Sequence, residues 1–160
     1  MLGVRLICVG KLKERYFQEA VAEYQKRLAA FCKFEIVELP EERLPEQPSA
    51  QAVEQALFRE AGDILRHIPA GAAATVLCVE GETLSSEELA ETLRRWTNAG
   101  KSRLCFVIGG SYGLHPAVKE AAQLRLSMGR MTFPHHLARV MVAEQIYRAF
   151  TILAGKRYHK

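Results

Sequence analysis

Apolar runs rich in β-branched residues alternate with amphipathic helical patterns along the chain. Short apolar runs predict buried strands, and apolar positions that recur every three or four residues predict helices. Strands are predicted over residues 4–9, 34–39, 74–79, 103–108 and 124–127. Helices are predicted over 14–30, 116–123 and 136–154. Two more begin after serine caps: one runs from Ser49 to residue 67, and the other from Ser85 or Ser86 to residue 97. Repeated strand–helix–strand units are typical of a mostly parallel sheet with helices on both faces, so we predict one α/β domain over residues 1–160.

Three glycine-bearing turns follow predicted strands late in the chain. They contain Gly81, the segment 109–113 and the segment 128–134. In parallel sheets, ligands bind beyond the carboxyl ends of the strands, and glycine lets a backbone approach a ligand closely. The sequence Gly-Gly-Ser-Tyr-Gly at 109–113 has neither the spacing of a dinucleotide-binding fingerprint nor the end of a Walker loop. A single turn of this kind is ordinary chain geometry, and the three together favour a ligand site modestly.

Charge and cysteine content narrow the class of protein. The net charge of +4 suits an acidic partner such as nucleic acid, but many small enzymes are equally basic. Cys8, Cys78 and Cys105 lie inside apolar runs, where we expect buried thiols in a reducing compartment rather than disulfides. No Cys or His spacing matches a metal site, and no apolar segment is long enough to span a bilayer. We therefore expect a cytoplasmic protein that binds no metal and no membrane.

The last predicted helix is apolar around much of its circumference. Such a helix is buried in a core or in a subunit interface, and one sheet face of so small a chain offers little cover. We therefore predict a homodimer. Glu144 and Arg148 lie four residues apart on this helix and are expected to pair, either as a helical salt bridge or as a polar contact inside the dimer. His135 and His136 precede it as adjacent residues, which favours a structural or RNA-facing role over metal binding.

Five motifs are specific in combination. They are Val-Gly-Lys-Leu-Lys at 9–13, Phe-Val-Ile-Gly-Gly-Ser-Tyr-Gly-Leu-His at 106–115, the segment 126–135, the segment 139–149 that ends in Glu-Gln-Ile-Tyr-Arg-Ala, and Tyr-His-Lys at 158–160. Together they resemble the ribosomal RNA large subunit methyltransferase H family of the SPOUT superfamily. The resemblance covers essentially the whole chain.

This resemblance implies a fold that physical rules of chain connection would not predict. In the SPOUT superfamily the C-terminal part threads through a loop to form a deep trefoil knot, whereas knots are rare exceptions among proteins. The glycine-bearing turns would be the knot loops and would hold S-adenosylmethionine in a bent shape. Backbone groups would contact the adenine, and Leu77, Met131 and Phe133 would supply apolar walls. The implied donor-binding residues are Leu77, Gly109, Gly110, Met128, Gly129, Arg130, Met131, Thr132 and Phe133.

The reaction implied by the resemblance is methyl transfer to N3 of a pseudouridine in a stem-loop of 23S rRNA on the assembled ribosome. A sulfonium donor is already activated, so positioning and removal of the N3 proton remain for the protein. The implied catalytic candidates are His135, Arg139, Tyr158 and His159, with the division of roles among them open.

Two other interpretations remain at this point. One is a SPOUT methyltransferase that acts on another RNA, such as tRNA. The other is a non-catalytic ribosome-binding factor that uses the same fold for docking. The chain has no pattern of a separate RNA-binding domain, so recognition of RNA would have to use the surface of the dimer.

Overall fold

Five strands and five helices alternate in the computed structural model, which describes all 160 residues. In chain order they are β1 (Gly3–Val9), α1 (Arg15–Leu28), β2 (Lys33–Leu39), α2 (Ala50–His67), β3 (Ala73–Thr83), α3 (Ser86–Asn98), β4 (Arg103–Ile108), α4 (Pro116–Glu120), β5 (Leu124–Ser127) and α5 (His135–Leu153). The predicted order of elements is confirmed. The main differences in length are a longer β3 and a shorter α4.

All five strands form one parallel sheet in the order β2-β1-β4-β3-β5. In the centre, Gly3 of β1 lies opposite Lys33 of β2 on one side and Arg103 of β4 on the other. The carboxyl ends of the central strands therefore meet at the same edge of the sheet. The predicted parallel sheet is confirmed, and this edge is where a ligand site is expected.

The sheet is covered by helices on both faces, as predicted. Leu6 of β1 belongs to a cluster with residues of α1, α3 and α5, and the next residue, Ile7, belongs to a cluster with residues of α2 and α4. Phe106 and Val107 of β4 divide between the two clusters in the same way. Side chains alternate across a strand, so these continuous apolar runs are buried on both sides.

Serine caps fix where two helices begin. Ser49 Oγ accepts the N–H of Ala52 at 3.1 Å at the start of α2. At the start of α3, Ser85 Oγ accepts the N–H of Glu88, while the Glu88 carboxylate accepts the N–H of Ser85. This reciprocal pair is a capping box, which satisfies two backbone donors that have no partner within the helix. Ser85, rather than Ser86, is therefore the cap.

The predicted turn at Gly81 is wrong, because β3 continues through this residue to Thr83. Beyond Leu77 the strand changes its register against β5, and pairing resumes at Glu82. A Cβ atom on Gly81 would lie 2.6 Å from the carbonyl oxygen of Arg125. Glycine is needed here because the neighbouring strand approaches closely, a requirement that hydrophobic periodicity does not reveal.

Helix α5 packs its apolar surface against the sheet face that α1 and α3 also cover. Ala143, Ile146 and Ala149 are fully buried, so much of the apolar circumference is explained within the chain. The predicted pair also forms, with Arg148 Nε donating to Glu144 Oε1 at 2.7 Å. No helix of the protein, α5 included, has both the length and the apolar content that crossing a membrane requires.

Arg139 ties α5 to the carboxyl ends of β1 and β2. Its guanidinium donates to Glu38 Oε2 at 2.5 Å and to the carbonyl oxygen of Gly10 at 3.0 Å. The same Glu38 oxygen accepts the N–H of Leu12 at 2.9 Å. Burial alone would raise the pKa of Glu38, but the Leu12 N–H and the Arg139 charge outweigh it and lower that pKa. The side chain of Arg139 is only 2% exposed, so this contact is a structural tie in the core.

Replacement of Arg139 by Ala should lower the free energy of unfolding by about 2 kcal/mol, because it leaves the half-buried Glu38 and the Gly10 carbonyl without their donor. Urea denaturation at neutral pH measures the loss. Arg15→Ala is the matched control, since Arg15 and Glu19 form an ion pair with side chains 90% and 65% exposed. Its loss should stay below about 1 kcal/mol. Equal losses in the two variants would contradict a tying role for Arg139.

Candidate active site

A cavity of about 700 Å³ opens at the carboxyl edge of the sheet. Its walls come from the middle of β3, the turn between β4 and α4, and the segment that leads into α5. We call it the edge cavity and define it by residues 77–80, 108–114, 126, 128–129 and 131–135, together with Lys119 and Ala138. Its position at the ends of parallel strands and its size are those of a small-molecule site.

The edge cavity brings together most of the residues predicted to bind a methyl donor. All of them except Arg130 contribute to its lining, namely Leu77, Gly109, Gly110, Met128, Gly129, Met131, Thr132 and Phe133. They come from three segments that are far apart in the chain. Their binding of a donor stays a prediction, but their convergence on one cavity is an observation.

The β4–α4 turn is closed by its own backbone. Gly110 accepts the N–H of Gly113 at 3.1 Å, and Gly113 has a φ of 84°, which favours glycine. A Cβ atom on Gly109 would overlap the Gly113 carbonyl group. At Gly109 and Gly110 the turn therefore presents only backbone to the cavity, while Ser111 and Tyr112 of the same turn also line it.

The segment between β5 and α5 forms the opposite kind of wall, one made largely of apolar side chains. Ser127 Oγ accepts the N–H of Gly129 at 3.1 Å, which fixes the start of the segment. Met131 is 74% exposed although it is apolar, and Phe133 follows it in the same wall. Apolar walls opposite a backbone-rich turn suit a ligand with both a planar ring and polar edges.

His135 is the one catalytic candidate that lines the edge cavity. It begins α5, and its ring contacts the His136 ring with 4.2 Å between centroids. Burial, followed by the adjacent His136, lowers the pKa of His135 below its ordinary value. The imidazole is therefore neutral at pH 7, the form in which it can accept a proton.

Arg139, Tyr158 and His159 do not line this cavity. Arg139 is held in the core by Glu38 and Gly10. Tyr158 and His159 instead belong to a group that we call the tail cluster, formed by Glu87, Glu144, Arg148, Tyr158 and His159. The four predicted catalytic residues thus occupy three different environments within one protomer.

Hydrogen bonds in the tail cluster settle how His159 carries its proton. Arg148 can only donate, so His159 Nδ1, at 3.1 Å from Arg148 Nη1, accepts. His159 Nε2 then donates to Glu87 Oε1 at 2.5 Å. Tyr158 donates to Glu144, and burial, the Tyr24 hydroxyl and Glu144 raise the pKa of Tyr158 to about 12. Neither ring has a free basic atom in this arrangement.

A second cavity of about 440 Å³ adjoins the first. We call it the α5 groove, and it is lined by residues of α3, α5 and the end of β5 together with Tyr24. It shares Leu126 and Met128 with the edge cavity and has Glu144 of the tail cluster on its wall. The tail cluster therefore borders a space next to the edge cavity, separated from it by a shared wall.

Sequence reasoning missed Glu87 as a partner of the C-terminal residues. The pairing of Glu144 with Arg148 is predictable from their spacing, but Glu87 lies 72 residues from His159. No pattern along the chain signals such a contact. Within the whole structure, no three His, Cys, Asp or Glu side chains converge as metal ligands would.

Two solved structures share this fold. One is a probable methylase family protein from Haemophilus influenzae Rd KW20, with a TM-score of 0.54, 14% identity and coverage of 98% of this chain and 70% of that one. The other is a probable methyltransferase from Bordetella pertussis Tohama I, with a TM-score of 0.54, 19% identity and coverage of 92% and 95%. At these identities the likeness concerns the fold alone.

Sequence comparison identifies the family. A family model described as "Predicted SPOUT methyltransferase" matches residues 2–159. The protein named "Ribosomal RNA large subunit methyltransferase H" in Limosilactobacillus reuteri (strain DSM 20016) is 46% identical over 159 residues, 99% of this chain and 100% of that protein. The proteins of the same name in Bacillus pumilus (strain SAFR-032) and Streptococcus uberis (strain ATCC BAA-854 / 0140J) are 46% and 45% identical with the same coverage. The chain belongs to the SPOUT methyltransferases, as a member of the ribosomal RNA large subunit methyltransferase H family.

Proposed function

We propose that this methyltransferase transfers a methyl group from S-adenosylmethionine to N3 of a pseudouridine in 23S rRNA on the assembled ribosome, in the cytoplasm. The observation that carries the proposal is the edge cavity, where a glycine turn, an apolar wall and His135 meet in one small volume. The names of the full-length relatives support a ribosomal RNA as the substrate.

The edge cavity fits the donor in size and in chemistry. Gly109 and Gly110 would offer backbone groups to a planar polar ring, and Leu77, Met131 and Phe133 would pack against its faces. Met128, Gly129 and Thr132 would complete the wall, whereas Arg130, which is not part of the lining, would act from the rim of the same segment. The bound donor supplies an electrophilic methyl group.

Within this proposal, His135 removes the N3 proton. It lines the cavity, and its lowered pKa keeps it neutral at pH 7. A neutral imidazole on the wall of this cavity is in the protonation state that a general base requires, which supports the role proposed for His135. Arg139, buried behind it, then acts as a positioning residue that holds the start of α5 against Gly10 rather than as a group that touches RNA.

Tyr158 and His159 would contribute from the second cavity. The tail cluster borders the α5 groove, which shares Leu126 and Met128 with the edge cavity. Their rings, held in place by Glu144 and Glu87, would orient the target nucleotide by packing against it while His135 accepts the proton. This division assigns a role to each of the four predicted catalytic residues.

The protein acts as a homodimer in this proposal. The α5 groove leaves Val140 and Met141 of α5 partly exposed, together with Leu84, which precedes α3, at its wall. A second copy seated there would cover this apolar surface and would bring its own residues next to Met128 at the shared wall. The same proposal includes a C-terminal part that forms the deep trefoil knot of the superfamily.

Methyl transfer from labelled S-adenosylmethionine to ribosomes from a strain without this enzyme tests the function. We expect label on 23S rRNA in assembled particles and little on free 23S rRNA, because recognition without a separate RNA-binding domain relies on particle shape. Label on tRNA instead would identify tRNA, rather than 23S rRNA, as the substrate. A protein that binds ribosomes but neither binds the donor nor methylates RNA would favour a non-catalytic ribosome-binding factor.

Replacement of His135 by Ala should lower turnover by about 100-fold or more, since general-base assistance typically contributes that much. Its effect on donor affinity should be small by comparison. His159→Ala should also lower turnover more than donor binding, and turnover of the wild-type enzyme should fall as the pH drops through the lowered pKa of His135. His67→Ala, at the end of α2 on the other sheet face, is the control. Unchanged turnover in both test variants would refute the assignment.

Replacement of Met141 by Glu should convert a dimer to a monomer at micromolar concentration, because it places a charge in an apolar interface. Sedimentation velocity measures the change. Phe58→Glu is the control, since Phe58 is 63% exposed on α2, which covers the other face of the sheet. A wild-type protein that sediments as a monomer would refute the proposed dimer.

A further inference from the structure

Glu41 links the proline-rich segment after β2 to the glycine turn of the edge cavity. Its Oε1 accepts the backbone N–H of Ser111 at 3.0 Å, although the two residues are 70 positions apart. The segment 40–48 otherwise has the character of a surface loop, rich in proline and acidic residues. A carboxylate bound to a backbone N–H is a charge-assisted hydrogen bond, stronger than a neutral one. The turn that forms one wall of the cavity is therefore held from outside.

Two glycines make room for this carboxylate. A Cβ atom on Gly110 would lie 2.6 Å from Glu41 Oε1. A Cβ atom on Gly10 would lie 3.3 Å from Glu41 Oε2 and 3.5 Å from His135 Nε2. The second carboxylate oxygen and the imidazole nitrogen thus face the same small space above Gly10. Any side chain at position 10 or 110 would intrude on the carboxylate.

The charges that surround His135 come from several elements. Glu41, from the segment after β2, and Glu14, from the connection before α1, favour the protonated imidazole. His136 and Arg139, both on α5, oppose it. Glu80 and Lys119 on the cavity wall pair with each other at 2.5 Å. Glu41 is the acidic group that touches both the glycine turn and the space in front of His135.

We propose that Glu41 is a positioning residue of the active site, which pins the Gly109–Gly113 turn through Ser111 and places its negative charge across Gly10 from His135. The role assigned to His135 rests on the proposed function, whereas the effect on the turn does not. Loss of the carboxylate frees the turn that forms one wall of the cavity and removes one of the two negative charges that favour the protonated His135 ring.

Two variants separate these effects. Glu41→Ala removes the acceptor for Ser111 and should weaken binding of S-adenosylmethionine about tenfold, the equivalent of one charge-assisted hydrogen bond. Glu41→Gln keeps an acceptor oxygen but loses the charge, so it should change donor affinity less and should move the titration midpoint of His135 to lower pH. Isothermal calorimetry measures donor affinity, and the NMR resonance of the His135 ring measures the titration. Glu46→Gln, an exposed residue of the same segment, is the matched control.

The proposal would be overturned if Glu41→Ala and Glu41→Gln both had the donor affinity and the His135 titration of the wild type. A shift in both, with Glu46→Gln unchanged, would support it. Neither measurement uses RNA, so they judge Glu41 independently of the substrate. A wild-type enzyme that binds the donor but leaves ribosomes unmethylated would refute the proposed function while the Glu41 results still stand. If Glu41→Ala fails to fold, the titration of Glu41→Gln decides.

Discussion

The parallel pairing of β4 between β1 and β3 determines where the other parts of the molecule lie. Phe106 and Val107 of β4 are buried on opposite faces, so helices must cover both sides of the sheet. Because all strands run the same way, their carboxyl ends meet at one edge, and the chain leaves β4 through the turn at 109–113. This turn folds back on itself so tightly that the Gly113 carbonyl leaves no space for a side chain on Gly109. The cavity forms there because turns and loops, rather than helices, close this edge.

Hydrogen-bond and ion-pair partners determine which side chain of the site remains available to accept a proton. Arg139 is committed to Glu38 and to the Gly10 carbonyl, and His159 uses both ring nitrogens. His135 lines the cavity, and its burial favours the neutral ring. The same helix, α5, carries His135 at its start and Glu144 and Arg148 further along, so it connects the edge cavity with the tail cluster.

Contacts between residues that are close in the chain were predictable from the sequence, whereas contacts between distant residues were not. Ser49 was predictable as a cap, and the cap of α3 as Ser85 or Ser86, because capping involves residues three positions apart. Glu144 and Arg148 were predictable as a pair for the same reason. The turn predicted at Gly81 was wrong. A glycine is required there because the backbone of Arg125, 44 positions later and on another strand, leaves no space for a side chain. Arg139 has a helical position that the pattern identifies, but its burial depends on Glu38, 101 residues away.

The sequence by itself determined the order of strands and helices, the parallel sheet with two covered faces and the family, because local propensity, periodicity and motifs act over short distances along the chain. It also indicated the segments that form the cavity. Only the tertiary structure decided that Tyr158 and His159 lie in a different cluster from His135, that Arg139 is buried in the core and that Glu41 reaches the glycine turn. Each of these depends on which distant residue supplies a hydrogen-bond partner, and that choice is made by packing of the whole sheet and its helices.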